Sequence, residues 1–194
     1  MMIQMIGIVL IAVLAENLVL IRPLGMGWPK ETIMREKDAW RMGVALTLVM
    51  TLTALLTWLL NALVLRYFAL EYLRVLIYTL AVLAVVFSLR LLLKKVFPAL
   101  SGQLDAYLSE TLYNCAVLGV ALIVTLRNYS LWQSVLYAFA AGVGVLVVLV
   151  IFAGLQDQAS FDKCPRIFRG LPIQLITAGL MALALMGFAG LNVR

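Results

Sequence analysis

Apolar residues fill most of this chain in long runs, and short polar stretches separate them. About 20 apolar residues suffice to cross a bilayer as a helix, because each adds about 1.5 Å and the hydrocarbon core is about 30 Å thick. Six such runs stand out, at residues 3–21, 42–65, 73–93, 108–126, 131–155 and 171–191. Two carry a polar interruption: Glu16-Asn17 in the first and Asn114-Cys115 in the fourth. The pattern predicts an all-α integral membrane protein of six transmembrane helices, with the first and fourth helices broken. The runs leave no room for a separate soluble domain, so residues 1–194 read as one membrane domain.

The connections are short and polar. Residues 22–41 hold Pro23, Pro29 and the charged stretches Lys30-Glu31 and Arg35-Glu36-Lys37-Asp38. Mixed charge of this kind is expected to form a solvated interfacial helix or loop. Lys94-Lys95 and Pro98 mark the third connection, and residues 156–170 form the fifth. No Lys or Arg precedes Arg22. A signal peptide needs a positive leading region, so the first run reads as a retained helix.

The two halves of the chain echo each other. Asn17 and Asn114 lie 97 residues apart, and Gly43 and Gly142 lie 99 apart. Ile77-Tyr78-Thr79-Leu80-Ala81 matches Leu175-Ile176-Thr177-Ala178-Gly179 at an offset of 98. Repeats of about 1–97 and 98–194 would each contain three spans. An odd number of spans gives the halves opposite orientations. Such inverted repeats place functional sites near the midplane, at paired broken helices. An unsatisfied amide in hydrocarbon costs roughly several kcal/mol. The simplest partner for Asn17 or Asn114 is backbone freed at the break of the opposite half. A plain interhelical Asn contact is the alternative.

Composition agrees with a membrane chain. Hydrophobic residues make up 65% and charged residues 12%, against about 45–50% and 25% in soluble domains. The net charge of +6 would suggest nucleic acid in a soluble protein. Here the basic residues sit between apolar runs, so nucleic acid is not expected as a partner. The first, third and fifth connections and their flanks hold eleven Lys and Arg residues; the opposite side holds four. Positive loops stay in the cytoplasm, so both termini are expected outside.

There is no His and there are only two cysteines, Cys115 and Cys164. Catalysis by His, His metal sites and a disulfide framework are therefore set aside. No Gly-rich phosphate loop is present. Gly142-Val143-Gly144 falls inside an apolar run and reads as close helix packing.

At Asn114-Cys115-Ala116-Val117-Leu118-Gly119-Val120-Ala121-Leu122 the chain resembles the fourth-helix signature of the family that unites the Rnf A-subunit with the Nqr E-subunit. Phe168-Arg169-Gly170, residues 175–181 and residues 186–191 resemble that family's last segment. Asn17-Leu18-Val19-Leu20 and Leu24-Gly25 resemble its first. The likeness is collinear over nearly the whole chain. It implies a subunit of a complex in the bacterial cytoplasmic (inner) membrane. Such a complex passes electrons between ferredoxin and NAD and couples them to sodium or proton translocation. The resemblance further implies pairing with a homologous E-type membrane subunit of opposite orientation. The pair would share an intramembrane [2Fe–2S] cluster, ligated by Cys from broken helices. Flavin, NAD and further iron–sulfur sites would lie on other subunits.

Cys115 stands at the position of the family's second cluster ligand. At the first ligand position this chain has Gly27, which cannot ligate iron, and Pro29 follows one residue late. Glu16 replaces a family Asn, and Leu112-Tyr113 replace small hydroxyl residues. For Cys115 the two readings are a cluster ligand and a small buried hydrophobe. Cys164 lies in the fifth connection, about 15 Å from a midplane site, and Met26 offers only a thioether; neither reads as a ligand. Glu16, with Asn17 and Asn114, could line an ion or proton path, or Glu16 could be hydrated or pair with Arg22. Glu110 reads as a helix cap. The leading function is an Rnf-type membrane subunit. The alternatives are a small inverted-repeat transporter or channel subunit, or a cluster-free structural paralogue.

Overall fold

The computed structural model describes residues 36–65, 71–96, 107–109, 111–112, 114–158 and 171–186. Every regular element among these residues is helical. Helix α1 spans Glu36–Leu60 and runs on into a π-helical turn, Asn61–Leu65. A 3₁₀ turn at Glu71–Leu73 leads into α2, Arg74–Val96. Helical residues 107–109 and 111–112 precede α3, Cys115–Leu126. Helix α4 spans Leu131–Gln158, and α5 spans Leu171–Met186.

Three of these helices are long and apolar enough to cross a membrane: Lys37–Leu63, Arg74–Lys95 and Leu131–Leu155. They coincide with the second, third and fifth expected runs. Helix α3 has 12 residues, about 18 Å at the helical rise of about 1.5 Å per residue. That is little more than half of a core about 30 Å thick. The fourth run is therefore broken where its polar pair predicts. The first run lies outside the described residues.

One boundary differs from expectation. The charged residues from Glu36 to Asp38 do not form a separate interfacial element. They are the first turn of α1. An apolar window ends where charge begins, but a helix need not. Acidic side chains near its N-terminus suit the positive end of the helix dipole.

The core lies between α1 and α4, which make the most extensive contact among the described elements. Met42, Leu46, Val49 and Met50 of α1 are buried, as are Ala141, Val145, Val148 and Leu149 of α4. The two helices run antiparallel and touch at two glycines. A Cβ added to Gly43 would lie 2.7 Å from Leu146 Cγ, and one added to Gly142 would lie 2.7 Å from Thr47 Cα. Only residues without a side chain allow this approach, so the Gly142 reading of close packing is borne out. The contact is reciprocal: each glycine meets the residue four positions after the other.

Two of the hydroxyls buried in this core, on Thr47 and Thr57, bond locally. Thr47 donates to Gly43 O at 2.8 Å and Thr57 to Thr53 O at 2.8 Å, so the helix itself satisfies them. Outward faces are apolar instead. Val44, Leu48, Leu52, Leu55 and Leu59 of α1, and Leu76, Leu80, Leu83, Phe87 and Leu91 of α2, are all exposed in the isolated chain. Water would penalise such faces, whereas lipid tails accept them.

Long-range hydrogen bonds fix which helix ends lie together. The Tyr107 hydroxyl donates to Asp38 Oδ1 at 2.7 Å, and Arg90 Nη2 donates to Ser109 Oγ. The start of α1 and the end of α2 thus share one end of the bundle. Trp58 Nε1 donates to Tyr129 O at 3.1 Å, and the Tyr78 and Thr125 hydroxyls are 2.8 Å apart. These ties gather the end of α1, the start of α2 and the α3–α4 turn at the opposite end. Among the described residues with side chains, Lys37, Arg41, Arg90, Lys94 and Lys95 belong to the first end and Arg74 and Arg127 to the second.

Candidate functional site

The break before α3 is built by Asn114. Its backbone is extended, at φ −82° and ψ 106°, so the helical direction is lost there. The Asn114 N–H still bonds Thr111 O at 3.2 Å, which closes the preceding turn. Its side-chain carbonyl accepts from Ala116 N–H at 3.0 Å. The amide thereby takes one of the donors that a helix start leaves unpaired. Asn114 is buried, at 8% exposure. The bond from Ala116 joins Asn114 to its own half-helix, because an N-cap oxygen stands next to the amides of the following turn. The expected partner, the break at Glu16-Asn17, lies outside the described residues.

Cys115 is the first residue of α3 and is exposed in the isolated chain. Eleven further residues of α3 separate it from the turn at Arg127 and Asn128, which sets it about 17 Å from that end. That distance is about half of a hydrocarbon core about 30 Å thick. The polar break falls where the sequence predicts it.

Cys115 opens onto a groove of about 430 Å³ between α2 and α3. Thr79, Val82 and Leu83 form the α2 wall; Leu112, Asn114 and Leu118 complete it. Sequence reasoning did not single out the α2 wall. Its residues are ordinary apolar or hydroxyl positions, and only the packing of α2 on α3 reveals them. The groove is mostly apolar, so it offers few groups that would hold water near the thiol.

Iron–sulfur clusters of the [2Fe–2S] type take four protein ligands. Among the described residues, no three of His, Cys, Asp and Glu come together to hold a metal. Cys115 fits one such position by chemistry and by access: its thiol is a soft donor, on a rigid helix start, on an open face. The other donors would have to come from elsewhere. Gly27, Glu16, Asn17, Cys164, Met26 and Glu110 lie outside the described residues.

A second polar feature was not foreseen. A cavity of about 130 Å³ near the α3–α4 turn is lined by Trp58, Asn61, Thr125, Asn128 and Tyr129, among others. Asn61 opens the π-helical turn, and Asn128 has a positive φ of 51°. An Asn inside the second apolar run was the available signal. At the basic end, burial and then the hydrogen bond to the Asp38 carboxylate push the Tyr107 phenol up from its ordinary value. Tyr107 therefore stays a proton donor to Asp38.

Residues 5–192 match the family described as Rnf-Nqr subunit, membrane protein. The chain is 41% identical over 180 residues to the A-subunit of the ion-translocating oxidoreductase complex of Syntrophotalea carbinolica, covering 93% of each chain. It is 42% identical over 180 residues to the protein of the same name from Azoarcus sp. (strain BH72), covering 92% of this chain and 93% of the relative. The like-named protein of Cereibacter sphaeroides is 40% identical over 185 residues, covering 95% of each.

Proposed function

This chain belongs to the Rnf-Nqr family of membrane subunits, and we propose on that footing that it is the A-type membrane subunit of an ion-translocating ferredoxin:NAD oxidoreductase. In this reading the chain helps carry electrons across the bacterial inner membrane. It does so with a homologous E-type subunit of opposite orientation. Flavin and NAD chemistry is left to other subunits. The observation that carries the proposal is the placement of Cys115, exposed at the start of a half-helix, on an open apolar groove.

Cys115 would supply one ligand to a [2Fe–2S] cluster shared with the partner. When bound, such a cluster supplies one-electron redox chemistry. Asn114 holds the break, so that Cys115 keeps one position and direction. The positive end of the α3 dipole lies at this residue and favours negative charge there. Val82, Leu83, Leu112 and Leu118 keep the groove dry. A site near the midplane would divide a crossing of about 30 Å into two of about 15 Å. Gly27 offers no donor, so the ligand set of this pair would be asymmetric.

The proposed architecture is six spans in two inverted repeats, about 1–97 and 98–194, with both termini outside. Two observations support it. The Gly43–Leu146 and Gly142–Thr47 contacts exchange under a shift of 99 residues, as an axis between α1 and α4 requires. The described basic side chains also gather at one end of the bundle. Glu16 and Asn17 remain proposed ion-path residues. For Asn114 the capping bond favours a structural role. The single donor also favours the second reading, a cluster-free paralogue that serves as a scaffold.

Inverted membrane vesicles carrying the complex test the proposal. We expect Cys115→Ser to abolish electron transfer from ferredoxin to NAD, and the ion uptake it drives, with the complex still assembled. Unchanged electron transfer would favour the scaffold. Glu16→Gln should lower ion uptake per electron; unchanged uptake would remove Glu16 from the path.

A further inference from the structure

A cleft of about 360 Å³ opens beside the first turns of α1, lined by Lys37, Trp40, Arg41 and Val150 of α4. We propose that it binds the headgroup of an anionic phospholipid. This inference rests on the chain lying in a membrane and not on the redox role of Cys115.

Positions 37, 40, 41, 44 and 48 follow the helical period, so they share one face of α1. That face changes character along its length. Lys37 and Arg41 are exposed at the top, and Trp40 is 57% exposed between them. Below them Val44 and Leu48 are exposed on α1, with Val147 exposed on α4. Two cations above an apolar trough complement an amphiphile that is anionic at one end. A soluble anion would gain nothing from the trough. Trp at the junction of charge and hydrocarbon matches the level at which headgroups lie.

The nearest described carboxylate, Asp38, offsets one of these two charges and leaves the described lining of the cleft positive. Asp38 accepts the Tyr107 hydroxyl at 2.7 Å and does not line the cleft. Arg41 also stands near that phenol, which steadies its stem while it remains exposed. The cleft belongs to the end that also carries Arg90, Lys94 and Lys95. Basic clefts between membrane helices on the positively charged side are where anionic lipid headgroups bind.

Quenching of tryptophan by brominated lipid tests the site. The full-length chain is reconstituted in phosphatidylcholine vesicles with a minor fraction of dibromo-phosphatidylglycerol or the same fraction of dibromo-phosphatidylcholine. The contribution of Trp40 is the difference between the unsubstituted chain and Trp40→Phe. The expected result is at least about threefold stronger association with the anionic lipid. Lys37→Gln with Arg41→Gln should equalise the two lipids, while Lys94→Gln with Lys95→Gln should leave the preference. If the double variant does not fold, Lys37→Gln alone should reduce the preference. Four results would overturn the proposal. The lipids could quench equally in the unsubstituted chain, or the preference could survive loss of Lys37 and Arg41. Inorganic phosphate could displace it, which would mean a soluble anion. Neither lipid could quench Trp40, which would mean that protein covers the face.

Discussion

The α1–α4 interface and the α2–α3 groove share one short chain but follow opposite rules. At the interface two glycines bring backbones together and leave no space for even a methyl group. At the groove about 430 Å³ stands open, and a cysteine faces out of the isolated chain. The first region is complete in itself and fixes the position of everything else. The second is walled, among the described residues, by α2 and α3, with an exposed Cys115 at the start of α3.

That comparison can be broken by substitution. The largest effect is expected at Gly142→Ala, because the added Cβ meets Thr47 backbone, which cannot rotate away. Overpacking should cost at the upper end of about 1–3 kcal/mol, read as a fall in unfolding midpoint in detergent micelles. Gly179 is the control, since a Cβ there would meet nothing within 4 Å. Gly179→Ala should be neutral or gain up to about 1 kcal/mol from helix propensity. A similar loss at both glycines would deny the tight interface.

Asn114→Ala should come next, at about 0.5–2 kcal/mol for a lost cap, with Asn114→Ser, a neutral capping residue, closer to the unsubstituted chain. The order Ala below Ser, in the same unfolding measurement, distinguishes capping from simple burial. Thr53 gives a smaller effect of opposite sign. Its hydroxyl is buried without a hydrogen-bond partner among the described residues, so Thr53→Val should be neutral or slightly stabilising. A clear loss would mean that the hydroxyl has work to do. The smallest effect on stability belongs to Cys115→Ser, within about 0.5 kcal/mol, because an exposed side chain has little packing to lose. A large loss there would make Cys115 part of the frame.

Much of the frame was legible in the sequence. Three apolar runs became the three long helices, and Asn114-Cys115 became the break. Gly43 and Gly142 were visible as an equivalent pair at an offset of 99, and they meet the same interface. What was hidden depended on partners distant in sequence. Trp58 finds Tyr129 O across 71 residues, and Tyr107 finds Asp38 across 69. No local period encodes such bonds. The π-helical turn at Asn61–Leu65 was missed because its composition is that of any apolar helix. The α2 wall of the groove was missed for the same reason: in a membrane helix, an apolar face toward lipid and one toward a partner read alike. The capping bond of Asn114 was missed because the repeat drew attention to the opposite half, whose break lies outside the described residues, while the nearest free amide was two residues away.

The central claim is that Cys115 ligates iron on the open face of this chain. Electron paramagnetic resonance of the reduced, purified complex, with iron counted per complex, tests it most directly. The account predicts an intramembrane [2Fe–2S] signal that disappears with its iron in Cys115→Ser while every subunit still co-purifies. The same signal and iron content in Cys115→Ser would contradict it.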